Sequence, residues 1–333
     1  MTNRERFWAT INGDKTVDRC PVIEWASWWG KTLDIWYEQG LTPMDDHVNM
    51  MRQLTLDPLM QFWFPHKSPA CPAPKSHGAP LITSEKEYME LRPLLLPDNA
   101  VDVFMNRIER VLPEYERGET IVWYTVEGFF WFPRELLGIE NHLYSFFDEP
   151  ALYHHICEDL LEWQIKTIDK FSRYIKADFC TVAEDMSYNH GSMISEELWD
   201  EFIRPYYQQL TPHIKKYGTK AFIDSDGNIS KSIPWFIRSG IDGVLPLECQ
   251  SGVDVNVLRQ EYPDFLLIGG FDKMCMFKGE TAIRAEFERI TPAIRSGKYI
   301  PSMDHQTPPG TTLENYHTYV RLLKEYAQLA CKA

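Results

Sequence analysis

The chain has 333 residues, 44% of them hydrophobic, and 34 Lys and Arg against 48 Asp and Glu give it a formal charge of −14. That length is long for one sandwich or doubly wound unit and ordinary for one closed barrel, so the expectation is a single domain over residues 1–333. A surface this acidic repels phosphate backbones and anionic lipid, which argues against nucleic-acid and membrane partners.

The first residues, Met1 to Arg6, run straight into a charged amphipathic segment rather than a signal-peptide core. No apolar run approaches the roughly 20 residues that cross a bilayer, so a cytoplasmic protein is expected. The seven cysteines (Cys20, Cys71, Cys157, Cys180, Cys249, Cys275 and Cys331) are odd in number, scattered and never in a C-x-x-C pair. Reduced, mostly buried thiols are expected, not a disulfide framework or a thiolate zinc knuckle.

In chain order, Asn3 to Ile11 reads as a short helix that Asn12-Gly13-Asp14 breaks, and Val22-Ile23 as a compact first strand ended by Glu24. Further β-rich runs fall at 59–64, 120–126, 177–183, 219–223, 243–247, 265–268 and 299–302. Helical spacing of apolar residues marks 150–175, 196–217, 253–262 and 281–297 between them. Residues 65–80, with five prolines, read as an excursion over the barrel mouth, and 89–117 as the helix after it. Eight strands alternating with helices predict a parallel (β/α)8 TIM barrel.

The carboxyl ends of these runs carry Glu24, Glu127, Glu184-Asp185, Asp224 with Asp226, Glu248, Asp272 and Asp304-His305. One acid after a strand is ordinarily a helix cap or turn residue. A barrel, however, converges all these positions on one mouth, where catalytic groups of such enzymes sit. So many carboxylates raise one another's pKa unless a metal, a proton or a cationic substrate compensates. Glu184, Asp224, Asp226 and His305 make a candidate oxygen and nitrogen set for zinc or another divalent ion, with His305 as an uncoordinated acid or base the alternative. Aromatic residues gather at the same ends, and Trp28, Trp29, Phe129 and Trp131 are the expected wall for a flat or cationic ligand, with Glu24 and Glu127 at its polar end. There is no P-loop, no G-x-G-x-x-G after a strand, no G-x-S-x-G and no H-E-x-x-H.

Several segments occur in a telling order: Arg4-Glu5-Arg6 with Asp18-Arg19-Cys20-Pro21-Val22, then Glu184-Asp185-Met186 with Met193-Ile194-Ser195-Glu196-Glu197. Phe202-Ile203-Arg204-Pro205-Tyr206, Asp226-Gly227-Asn228 and Ile268 to Lys273 follow, then Pro301 to His305 with Pro308-Pro309 and Glu314-Asn315-Tyr316. Together they resemble the uroporphyrinogen decarboxylase superfamily, which includes zinc-dependent, corrinoid-linked methyltransferases. The resemblance implies a barrel over nearly the whole chain and, by family habit, a homodimer.

Its branches differ in chemistry. Porphyrinogen decarboxylases carry an arginine-rich stretch after the first strand and an aspartate after the second. Here the first loop is Glu24-Trp25-Ala26-Ser27-Trp28-Trp29-Gly30 and the second run ends at Phe64-Pro65, so a polyanionic tetrapyrrole would meet like charge. His305 nevertheless falls near the histidine which that branch uses. In the thiol-activating methyltransferases the zinc ligands are a histidine and a cysteine two apart and a later cysteine, and the resemblance puts Asp224, Asp226 and His305 at those places. Harder ligands suit an ion that polarises an oxygen or nitrogen of a methyl donor.

The reading that follows is a metal-dependent methyltransferase moving a methyl group from an O- or N-methyl donor to cobalamin on a partner corrinoid protein. His305, Asp226 and Glu184 are its candidate catalytic residues, and the segment 65–80 is part of the docking face. The alternatives are a metal-free decarboxylase of a smaller acid, with His305 managing protons, and a ligand-binding barrel without turnover.

Overall fold

The computed structural model describes residues 1–331. Its strands are β1 Leu59–Trp63, β2 Ile121–Glu127, β3 Phe179–Ala183, a short hairpin of β4 Ser187–Tyr188 and β5 Gly191–Ser192, then β6 Lys220–Asp224, β7 Gly243–Leu245, β8 Leu266–Phe271 and β9 Tyr299–Met303. Leaving the hairpin aside, the other seven form one all-parallel sheet in chain order from β1 to β9. Strands β2, β3, β8 and β9 are buried along their whole length, as expected where helices cover a parallel sheet.

The expected first strand at 22–23 is not one. Pro21 has no N–H to give a ladder, and the bonds of this segment go largely to side chains. Asp57 donates its N–H to the Val22 carbonyl at 2.8 Å while its carboxylate accepts from the Val22 N–H. On the other side Trp25 N–H donates to Ser302 Oγ at 3.3 Å, and Met303 N–H donates to Glu24 Oε1 at 3.2 Å. The segment thus touches both edges of the sheet, next to β1 and on β9, without pairing as a strand. The result is a curled, barrel-like α/β sheet of seven strands in place of the closed eight-stranded barrel.

Prolines also redraw the helices. The expected helix at 89–117 is two, Glu85–Leu91 and Met105–Glu116, separated by two 3-10 turns around Pro93 and Pro97, each of which removes a donor and disfavours helix in the residue before it. Residues 196–217 split into Glu196–Phe202 and Arg204–Lys215, with Pro205 in the first turn of the second. The other expected helices are Pro150–Phe171, Val255–Glu261 and Glu280–Ser296. Trp131–Leu137 and Ile139–Asp148 are helices that the sequence reading left out.

The helix Asn3–Ile11, held by a capping box between Thr2 and Glu5, lies at the amino end of the sheet. Phe7 stacks on Phe179 at 5.4 Å, and Arg4 and Trp8 donate to Asp178 at 2.8 and 2.7 Å. These contacts cover that end of the sheet. Cys20, Cys157, Cys180 and Cys275 are buried as expected, whereas the Cys331 side chain lies outside the described residues. No helix among the described residues is long and apolar enough to cross a membrane.

Candidate active site at the carboxyl ends of the strands

A cavity of about 510 Å³ opens at the ends of β1, β2, β3 and β6, and Trp63, Pro65, His66, Glu127, Trp131, Glu135, Asp185 and Asp224 are among its lining. Three of these acids are the expected strand-end carboxylates. Glu127 is the last residue of β2 and is 1% exposed. Its Oε1 accepts from the Trp63 indole N–H at 2.8 Å and from His66 Nδ1 at 2.9 Å, while its Oε2 is buried with no hydrogen-bond partner. Asp224 ends β6 and has no hydrogen bond to its carboxylate among the described residues. Desolvation, then the charges of Asp185, Asp226 and Glu127, hold its pKa well above the usual carboxylate range.

Asp185 stands between these groups with φ at +31, a backbone conformation that residues other than glycine rarely adopt. Its Oδ1 accepts from the Asp226 N–H at 3.0 Å. Burial, then the neighbouring Asp226 charge, raises its pKa to about 6.

His66 was not foreseen, nor was its partner Glu135. The ring bridges two carboxylates, with Nδ1 2.9 Å from Glu127 and Nε2 2.8 Å from Glu135, and Lys67 donates to the same Glu135 oxygen at 3.1 Å. Burial alone would lower its pKa, but the two carboxylates outweigh it and push the ring up to about 9. The sequence did carry a signal: this is the one strand end occupied by a basic pair, His66-Lys67, where the others end in acid. Among the described residues, His66, Glu127 and Glu135 are the acid and imidazole group whose ligand atoms lie within 4.8 Å of one another.

The four residues expected to share a metal are not gathered in that way. Glu184 faces away from the cavity: its Oε2 accepts from the Phe130 and Trp131 N–H groups at 3.0 and 3.3 Å, and its Oε1 accepts from the Tyr207 hydroxyl at 2.8 Å. It therefore holds the N-terminus of the helix Trp131–Leu137. Gly128 makes this approach possible, because a Cβ there would lie 1.6 Å from Glu184 Oε2. Burial raises the Glu184 pKa to about 8 despite these donors. Asp226 and His305 do meet, Oδ2 to Nε2 at 3.5 Å, both partly exposed, and the hydrogen bond to Asp226 raises the imidazole's pKa.

Around β7 to β9 the remaining acids are committed to the protein. Asp304, 0% exposed, accepts from the main-chain N–H groups of Cys249 and Lys273 at 2.9 and 3.0 Å. Glu248 accepts from Gly227 N–H and the Ser251 hydroxyl, and Asp272 caps the turn Lys273–Cys275 through Met274 N–H. Glu24, expected at the polar end of the ligand, is buried in the seam, where its Oε1 accepts from Ser302 and Met303 while its Oε2 has no hydrogen-bond partner, and burial raises its pKa to about 8.

Of the expected aromatic wall, Trp131 alone lines the cavity. Trp28 is buried against Trp36, His47 and Tyr316, and Phe129 against Tyr206 and Tyr207. Trp29 is exposed at the start of the helix Gly30–Glu38. Trp63, 48% exposed at the rim, is the indole that the reading of strand ends left out, because it sits at the end of a strand read as one residue longer.

Compared with known proteins, residues 72–326 match the family described as uroporphyrinogen decarboxylase (URO-D). No curated protein matches the chain in sequence. Among solved structures, a methyltransferase from Methanosarcina mazei is similar over 98% of this chain and 99% of its own, with a TM-score of 0.70 and 15% identity, a likeness of fold. Two looser neighbours are a B12-independent methionine synthase from Shewanella sp. W3-18-1 and a putative one from Listeria monocytogenes. The first has a TM-score of 0.45 and 11% identity over 67% of this chain and 65% of its own. The second has 0.44 and 12%, over 93% and 96%.

Proposed function

The chain belongs to the uroporphyrinogen decarboxylase family, and from that premise we propose that it is a methyltransferase taking a methyl group from a small O- or N-methylated donor and passing it to a corrinoid protein. The observation that carries the reading is the cavity: indoles of Trp63 and Trp131 line it together with Asp224, whose carboxylate is unpartnered, and Glu127, whose buried Oε2 has no hydrogen-bond partner. A methyltransferase sharing this fold over nearly its whole length supports the class of reaction. Decarboxylation is the weaker reading, since no arginine lines the cavity and an anionic substrate would face Asp185 and Asp224.

Cobalamin on the partner would supply the nucleophile for the methyl group. The partner would approach over the rim, where His66 and Lys67 follow Pro65 at the start of the segment 65–80 and Pro74, His77 and Gly78 line an adjoining hollow with Trp131 and Arg134. Within the chain, Trp63 and Trp131 would orient the donor, and Asp185, whose pKa is raised to about 6, would exchange a proton with the leaving atom.

In donor chemistry Asp224, Asp226 and His305 suit a divalent ion: the Asp224 carboxylate has no hydrogen-bond partner among the described residues, and Asp226 and His305 are in contact and partly exposed, so Asp224 would have to move toward them for the three to hold it. Glu184 fits as support beneath them, because both of its oxygens are taken. When bound, the ion supplies Lewis acidity toward the leaving oxygen or nitrogen.

The test is a panel of methyl ethers and methylamines given to the purified protein with a corrinoid protein in its cob(I) state, with and without chelator, following the corrinoid spectrum. Methylation of the corrinoid by one donor class is expected, lost on chelation and restored by zinc. No donor turned over would sink the methyl-transfer reading, and indifference to chelation would retire the ion.

A further inference from the structure

The geometry points to a narrower substrate class: we infer that the cavity binds an organic cation, an N-methylated ammonium group seated between the Trp63 and Trp131 indoles and facing Asp224 and Glu127. The inference rests on the methyl-transfer reading only for what happens after binding.

Four acids line the cavity, Glu127, Glu135, Asp185 and Asp224, against two bases, His66 and Lys67. Both bases are already committed, His66 to Glu127 and Glu135 and Lys67 to Glu135. No cationic side chain lining the cavity pairs with Asp185 or Asp224, and the nearby Arg134 bonds the Asp185 carbonyl at 3.4 Å and not its carboxylate. Independently of that cluster, Glu127 keeps a fully buried oxygen without a donor, and a buried acceptor is expensive to leave unsatisfied. A ligand that brings positive charge answers this excess of acceptors.

The walls decide what kind of cation. Phe64, Pro65, Ala183 and the two indoles give the cavity an apolar surface that a hydrated metal ion would gain nothing from, whereas a methylated ammonium is attracted to aromatic faces and buries its methyl groups. Arg134 lies over the Trp131 ring at 5.0 Å, so this indole already carries one cation on a face. The acid group close enough to chelate, His66 with Glu127 and Glu135, is bridged through both ring nitrogens, which leaves no free imidazole lone pair for a metal. A volume of about 510 Å³ takes a small organic cation.

The experiment needs no corrinoid. Choline and its neutral carbon isostere 3,3-dimethylbutan-1-ol are titrated into the protein by calorimetry and tryptophan fluorescence. Choline is expected to bind about tenfold or more tighter than the isostere. Asp224→Asn should remove most of that advantage and Trp63→Leu should weaken choline, while Asp224→Glu, which keeps the charge, retains it. Equal affinities, no binding of either, or an Asp224→Asn protein that still prefers choline would overturn the inference. Selective binding without turnover leaves it standing while the methyl-transfer reading fails; turnover of neutral methyl ethers with no choline binding does the reverse.

Discussion

Two sets of carboxylates share the same mouth and the same place after a strand, yet they live differently. Glu184 and Asp304 have their oxygens occupied by main-chain N–H groups and a hydroxyl or an ammonium of the protein. Asp224 has no such donor, and Glu127 keeps one oxygen open. The first set is bound up in holding loops and helix ends. The second has unspent acceptors on residues that line the cavity, which gives these acids a reason to meet a ligand. Topological position therefore nominates a residue, but the fate of its lone pairs assigns its role.

The largest effect that would break this contrast is at Glu184. Glu184→Ala leaves two buried donors, on Phe130 and Tyr207, and the part-buried N–H of Trp131 without their acceptor, and should cost roughly 3 kcal/mol or more. Glu184→Gln keeps an oxygen for the two N–H groups and turns its amide toward the Tyr207 hydroxyl, so it should stay within about 1 kcal/mol of the parent. Denaturant midpoints measure both. An alanine variant as stable as the parent, but unable to bind ligand or metal, would move Glu184 into the second set.

The sequence made much of this legible. The seven ladder strands fall within a few residues of their runs, since buried parallel strands read as apolar, β-branched stretches between turn signals. The eighth was misread because Val22-Ile23 is as apolar as a strand, while its hydrogen bonds depend on Asp57 and Ser302, remote in the chain. Asp224 was nominated by its place and type, and Glu184 equally so. What separates them is Gly128 and Tyr207, and no spacing rule connects those residues to Glu184. His66 escaped because it follows Pro65 in a segment read as excursion, and its meaning depends on Glu127 and Glu135 arriving from elsewhere.

A smaller effect sharpens the contrast at His66, the group that closes one oxygen of Glu127 and leaves the other open. Its folded pKa, about 9, lies above the ordinary 6.5. The protonated ring therefore stabilises the fold fully below pH 6.5, and the contribution disappears as pH rises through 9. Between about pH 6 and pH 9.5 the parent should lose roughly 2 kcal/mol more than His66→Gln does. Equal slopes for the two proteins in unfolding free energy against pH would mean that the ring is not the bridge between these carboxylates.

The smallest expected effect is the most discriminating. Asp224 has no hydrogen-bond partner to lose, and folding raises its pKa through desolvation and three neighbouring acids. Raised pKa in the folded state means that ionised Asp224 is penalised by folding at any pH above its ordinary range, a penalty that asparagine does not carry. Asp224→Asn should therefore change stability by no more than about 0.5 kcal/mol downward, and any larger change should be a gain. Paired with the loss at Glu184→Ala, that result separates a carboxylate that the fold requires from one that it merely tolerates. A substantial destabilisation at Asp224 would instead reveal a structural partner, and the case for a ligand at this end of the sheet would then rest on Glu127 alone.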